Sequence, residues 1–257
     1  MHRSPIIVLW FWEIPTAIAF NRVMSVEIES TRRGVLTGVS RALPIVLGYV
    51  PIGLAYGVLA QKAGLSALNT LLMSLIVYAG SAQLIAVGLF AGGASPLSII
   101  LTTFVVNLRH LLFSAAVAPF LQHWRKIDLA GFAYELTDET FAVHSAQFAS
   151  EGVPGRAEVF ATNVTAQVSW VFGTALGILV GQVIADVKPL GLDYALPAMF
   201  IALLVLQIKE RVQIVIALLA GMVSVGLLLA GLDQWNVIVA TVIVATLGVA
   251  LEQWNKK

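Results

Sequence analysis

The tetrapeptide Asn107-Leu108-Arg109-His110 lies inside the apolar stretch Leu97–Leu121. That stretch is long enough to cross a bilayer, which takes about 20 mostly apolar residues. An ionisable side chain near the centre of a span costs at least about 2.5 to 3.5 kcal/mol, so it needs a partner or a task. Helical spacing puts Thr103, Asn107, His110 and Ser114 on one stripe, with Arg109 on roughly the opposite face. The stripe suits the lining of an aqueous path in which His110 changes charge near neutral pH. It equally suits hydrogen bonding that joins helices. Arg109 cannot shed its proton and requires an acceptor. Asp138 or Glu139 would fill that place structurally, and a substrate carboxylate would fill it functionally.

A second constellation is Tyr78-Ala79-Gly80-Ser81-Ala82-Gln83. A helix that unwinds at Gly80 exposes backbone amides and the positive end of the half-helix that follows, a site for an amino acid carboxylate. Tyr78 and Gln83 would add directional hydrogen bonds. The plainer reading is a close-packing glycine in an unbroken helix. Leu136-Thr137-Asp138-Glu139-Thr140 follows an amphipathic run through Leu129, Phe132 and Ala133, as in a helix at the membrane interface. The paired acids Asp138 and Glu139 could carry protons, because neighbouring like charges raise one pKa. They could also form a solvated face or the countercharge of Arg109. Ser169, Gly173, Gly177 and Gly181 recur every four residues, a small-residue ridge for close helix packing. Asn163, Gln167, Trp170 and Thr174 make a polar stripe on the same segment. His123 and Asp128 have the short spacing some membrane acyltransferases use, but no companion motif supports that chemistry.

The elements that must position these groups follow from composition. Hydrophobic residues make up 59% of the chain and charged residues 11%, and the mean hydropathy is +0.91. These values define an integral membrane protein. Long apolar runs fit helices rather than barrel strands, so the fold class is all-α, a polytopic transmembrane helical bundle. With no cysteine there is no disulfide framework. A net charge of +1 excludes a broadly basic nucleic-acid binder. No Walker-type phosphate loop occurs, and neither a metal nor a cofactor is expected.

Seven long apolar segments are present: Val39–Ala60, Leu68–Ala91, Leu97–Leu121, Val159–Ala185, Tyr194–Ile208, Val212–Ala230 and Trp235–Leu251. They form a permease domain over residues 34–257, with a polar amphipathic stretch at 122–158. Arg22, Arg32, Arg33 and Arg41 place the first segment's leading end in the cytoplasm by the positive-inside rule. Lys209, Arg211, Lys256 and Lys257 belong there too, so both termini are expected to be cytoplasmic. Simple alternation of the segments contradicts this. One element before Val159 must break the count, and a broken or re-entrant helix is the preferred solution. The first segment carries Pro44 and Pro51 with several glycines, and the second carries Gly80-Ser81, residues that interrupt membrane helices. The alternative is an extra crossing by Leu129–Ala149. Residues 1–33 read as a polar or peripheral leader, and Met24, followed by a polar stretch, is a candidate start.

Gly80-Ser81-Ala82-Gln83, Asn107-Leu108-Arg109-His110 and Leu136-Thr137-Asp138-Glu139-Thr140, in this order, resemble the AzlC family. Gly53-Leu54-Ala55-Tyr56-Gly57 matches as well, and the resemblance covers roughly Arg33 to Leu251. It implies the large subunit of a branched-chain amino acid exporter in the bacterial cytoplasmic membrane, working with a small multispan subunit of the AzlD type. It implies no enzymatic activity, and proton-coupled secondary transport is the expected mechanism. Tyr78, Gly80, Ser81, Gln83, Asn107, Arg109 and His110 are the expected substrate path. A permease for another solute and an intramembrane enzyme are the rival readings.

Overall fold

The computed structural model describes residues 6–183, 211–232 and 236–255 with scattered positions between 184 and 210, and, within these, side chains from residue 29 onward except at 237–238 and 249–255. Most of the expected span at 194–208, together with Lys209, Asp233, Lys256 and Lys257, lies outside the described residues. Among the described residues there are nine α-helices and no strand. They are α1 (Ile6–Lys62), α2 (Ala67–Leu72), α3 (Gly80–Ala91), α4 (Pro96–Val117), α5 (Lys126–Tyr134), α6 (Asp138–Ser150), α7 (Arg156–Val183), α8 (Arg211–Leu229) and α9 (Asn236–Asn255). The segments Glu29–Lys62, Pro96–Phe120, Arg156–Val183 and Arg211–Leu229 are each long and apolar enough to cross a membrane.

The first apolar segment is not interrupted. Helix α1 runs unbroken through Pro15, Pro44 and Pro51, because a helix in hydrocarbon has no better home for its backbone groups than helical bonds. Its 57 residues rise about 85 Å, so only part of it fits within a bilayer.

The second segment does break. Helix α2 passes into a π-helical turn, Met73–Val77, and the chain then takes a left-handed step at Tyr78 (φ 43°, ψ 46°) before α3 starts at Gly80. The two arms fold back on each other. Gln83 Nε2 donates to Ser74 Oγ at 3.1 Å, and Ser66, Asn69 and Met73 share one cavity with Val87 and Phe90. This is a re-entrant hairpin about 16 Å deep, half the hydrocarbon thickness.

The polar stretch at 122–158 holds a second hairpin, α5–α6, instead of the alternative extra crossing. Phe132 on α5 packs against both His144 and Phe148 on α6, so the two arms share a buried aromatic face. At the open end of the hairpin Asp128 pairs with Arg156 at the start of α7, and Glu151 pairs with Arg41. Helices α1 and α7 run parallel where they touch: Gly57 meets Gly177, and four residues on Gly181 meets Val58 and Gln61.

The chain divides into two compact units, one of residues 1–49 and 112–170, the other of 50–111 and 171–257. Hairpin α5–α6 belongs to the first and hairpin α2–α3 to the second. The core of the first is Val117, Leu121, Trp124, Phe132, Leu136, Phe148 and Val159. Trp124 stacks on Phe160 and meets Phe132 edge-on. In the second unit, Gly57 and Gly177 bring α1 and α7 into backbone contact, and α8 pairs with α9.

Candidate functional site

Each hairpin carries a buried polar apex. In α2–α3 the left-handed turn at Tyr78 ends one helix, and Ala79 offers no side chain to cap the next. The leading amides of α3, at Gly80, Ser81 and Ala82, therefore open the helix without a side-chain acceptor, where a helix carries partial positive charge. Ser81 and Ala82 are buried. The Arg109 Nη2 atom donates to Ser81 Oγ, which brings a fixed cation to the same turn. A positive helix end and a guanidinium at one point make a site for a carboxylate.

Behind this turn a buried hydrogen-bonded chain sets the hairpin's position. Gln83 donates to Ser74, whose hydroxyl lies 2.8 Å from that of Thr174 on α7. Tyr56 donates to the Thr70 carbonyl, and Gln61 reaches Leu65 and Thr70. Tyr56, Thr70, Gln83 and Thr174 are all fully buried. Gln83 is thus bound to Ser74 within the hairpin, while Tyr78 forms the turn itself. A cavity of about 670 Å³ lies beside the arms, lined by Leu65, Leu72, Met73, Ile76, Val77 and Val87 among others. It reaches within one residue of the break and does not include Ser81 or Arg109.

On α4, Phe104, Leu108, Leu111 and Leu112 are exposed, as lipid-facing residues would be, whereas Asn107, Arg109 and His110 are half-buried. The Asn107 Oδ1 atom is buried without a hydrogen-bond partner. Thr103 bonds back to the Ile99 carbonyl of its own helix. Gly177 and Gly181 lie against α1, and Gly173 is buried on the same helix.

The apex of α5–α6 is Glu135-Leu136-Thr137. Thr137 caps α6 through a reciprocal capping box with Thr140. The Tyr49 hydroxyl bridges Glu139 Oε2 at 2.6 Å and Thr137 Oγ1 at 2.7 Å. One turn further along, the Thr140 hydroxyl donates to the Glu135 carbonyl. His144 Nε2 lies 2.7 Å from Asn163 Oδ1, and Gln147 donates to Glu158 at 2.7 Å. At the mouth, Arg41 holds Glu158 and Glu151. Asp128 sits between Arg125 and Arg156; its bond to the Arg125 guanidinium holds its carboxyl below the usual range. Among the described residues no cluster suited to a metal ion occurs.

Sequence reasoning missed Tyr49, Glu135 and His144. Thr137, His144 and Gln147 share one face of α6, a polar stripe at helical spacing that the sequence displays but that resembles a solvated surface.

An all-helical membrane protein with a broken helix, a half-buried cation at the break and buried polar side chains between its helices has the construction of a transport protein. The model of the family described as AzlC protein matches residues 44–184, and the chain belongs to that family. It is 30% identical over 199 residues to the inner membrane protein YgaZ of Escherichia coli, covering 75% of this chain and 81% of that protein. An uncharacterized membrane protein of Archaeoglobus fulgidus is 31% identical over 85% of this chain and 94% of its own length. The branched-chain amino acid transport protein AzlC of Bacillus subtilis is 26% identical over 75% of this chain and 76% of its own. No solved structure matches the chain.

Proposed function

We propose that the chain is the large subunit of an exporter of valine, leucine, isoleucine and similar amino acids, placed in the bacterial cytoplasmic membrane with both termini inside. The observation that carries this reading is the apex of α2–α3. There the uncapped start of α3 and the Arg109 guanidinium converge on Ser81. Such a site binds the carboxylate common to all amino acids, and the aliphatic lining around Met73, Ile76 and Val77 favours an apolar side chain over a polar one. The name of the Bacillus subtilis relative points to the same substrates. The unsatisfied Asn107 carbonyl, on the same helix as Arg109, is a candidate acceptor for the substrate's ammonium group.

With no phosphate loop in the sequence, the proton gradient is the proposed driving force. A small multispan subunit of the AzlD type is the proposed partner. The test is efflux of labelled leucine from preloaded cells with and without the gene. Faster efflux when the gene is present is expected, and equal rates in the two strains would refute the reading.

A further inference from the structure

The α5–α6 hairpin contains polar groups in excess of what packing requires. Between its apex and its mouth, the inward face of α6 presents Thr137, Thr140, His144 and Gln147 in turn. Each meets a polar partner: Tyr49 at Thr137, the Glu135 carbonyl at Thr140, Asn163 at His144 and Glu158 at Gln147. The column ends at the Arg41 pairs with Glu158 and Glu151, and Glu151 is exposed. Its top is the Tyr49–Glu139 hydrogen bond. From Glu139 to Glu151 the helix rises about 18 Å, so the column links the hairpin's buried apex to solvent at its mouth.

His144 is the midpoint, and it is fully buried. Asn163 presents its Oδ1 to His144 Nε2, so Nε2 carries the hydrogen and Nδ1 keeps its lone pair. Nδ1 is buried with no partner, and so is the Asn163 amide nitrogen. A fixed tautomer with an unsatisfied basic nitrogen is an expensive arrangement for a residue that only fills space. Phe132 and Phe148 cover the ring. The charged groups that act on it are Glu158, from α7, and Arg41, from α1, with opposite signs.

We propose that the inward face of α6 is the proton limb of this transporter, with His144 relaying between Glu139 at the apex and Glu158 at the mouth. A proton released from a carboxyl at one end forms an N–H bond at Nδ1, giving an imidazolium that keeps its Asn163 bond. The same N–H bond then breaks and the proton passes to the carboxylate at the other end. No electrons are transferred, and the ring returns to its starting tautomer. The relay requires water to carry the proton between His144 and each carboxylate. This inference rests on the transport reading above, and it separates the proton route from the Arg109 site that holds substrate.

The test uses the full chain, with any subunit that copurifies, reconstituted into liposomes. Two activities are read: leucine exchange at equal pH, and leucine accumulation driven by an imposed pH gradient. In the wild type both are expected. His144→Gln keeps a donor for Asn163 but cannot titrate, and Gln147→Leu interrupts the column one turn away without touching the histidine. Both variants should exchange leucine at wild-type rates and lose the gradient-driven accumulation. Gradient-driven accumulation at the wild-type level in either variant would overturn the relay. Wild-type exchange with no response to the gradient would overturn proton coupling, whereas no exchange in the wild type would overturn the transport reading itself. Should His144→Gln lose exchange and melt early, the ring is structural at that position, and loss of exchange in a stably folded Gln147→Leu would overturn the proposal.

Discussion

Gly57 on α1 and Gly177 on α7 face each other so closely that a Cβ placed on either would lie 2.9 Å from the other's Cα. A methyl at Gly177 would also collide with the Leu54 carbonyl, and one at Gly57 with the Thr174 carbonyl. The neighbours on both sides are backbone and cannot rotate away. Gly177→Leu is therefore expected to cost more than the usual 1 to 3 kcal/mol of overpacking and to lower yield and melting temperature sharply. Gly48→Ala, where nothing lies within 4 Å, is the control and should be neutral or slightly stabilising. Normal yield and melting of Gly177→Leu would show that α1 and α7 do not pack as described.

Arg109 and Ser81 make a second prediction. Arg109→Ala removes the cation from the α3 turn and should abolish leucine export. Arg109→Lys keeps charge but loses the two-pronged donor, and should weaken apparent affinity by roughly 10- to 100-fold, the equivalent of about 1.5 to 3 kcal/mol, in a protein that still folds. Abundance and export measured together separate the two effects. Wild-type export by Arg109→Ala would remove this residue from the site.

Ser74 joins Gln83 to Thr174 inside the second unit. Ser74→Ala removes one buried hydrogen bond from each of Gln83 and Thr174 and should cost about 1 to 3 kcal/mol, read as a lower melting temperature. A variant that melts like the wild type would mean that the chain of bonds does not hold the hairpin.

Thr137 is the N-cap of α6 and the partner of Tyr49. Thr137→Ala is expected to lose about 1 kcal/mol through the cap, while Thr137→Ser should stay close to wild type. Thermal unfolding of the pair provides the comparison, and equal melting of Ala and Ser variants would contradict the capping role.

The distribution of arginine and lysine predicts a cytoplasmic place for both ends of the chain. Cysteines introduced at Arg32 and Lys257 are expected to resist an impermeant thiol reagent in intact cells and to react after permeabilisation. Strong labelling of Lys257→Cys in intact cells would place the C-terminus outside.

The break in the second segment was legible because glycine beside serine in an apolar run is a local signal, and the structure turns at Tyr78-Ala79, immediately before Gly80. The continuity of α1 was not legible, since Pro44 and Pro51 have the same local chemistry in a kinked helix as in a broken one. The hairpin α5–α6 was hidden for another reason. Its arms, at 9 and 13 residues, are too short for a span and polar enough to pass as an interfacial stretch. Its burial comes from residues remote in sequence, such as Tyr49 and Asn163. His144 escaped notice on the same ground: nothing near it in the chain marks it as the neighbour of Asn163.

The left-handed turn at Tyr78 also constrains how the protein is made. Helix α2 and the π-helical turn after it are too short to hold together on their own, and an interrupted backbone cannot face lipid. The hairpin can enter only after α1 and α7 have inserted and offered Tyr56, Gln61 and Thr174 as partners for Thr70 and Ser74. The polar groups that create the α2–α3 apex are thus expected to leave water after α1 and α7 have inserted.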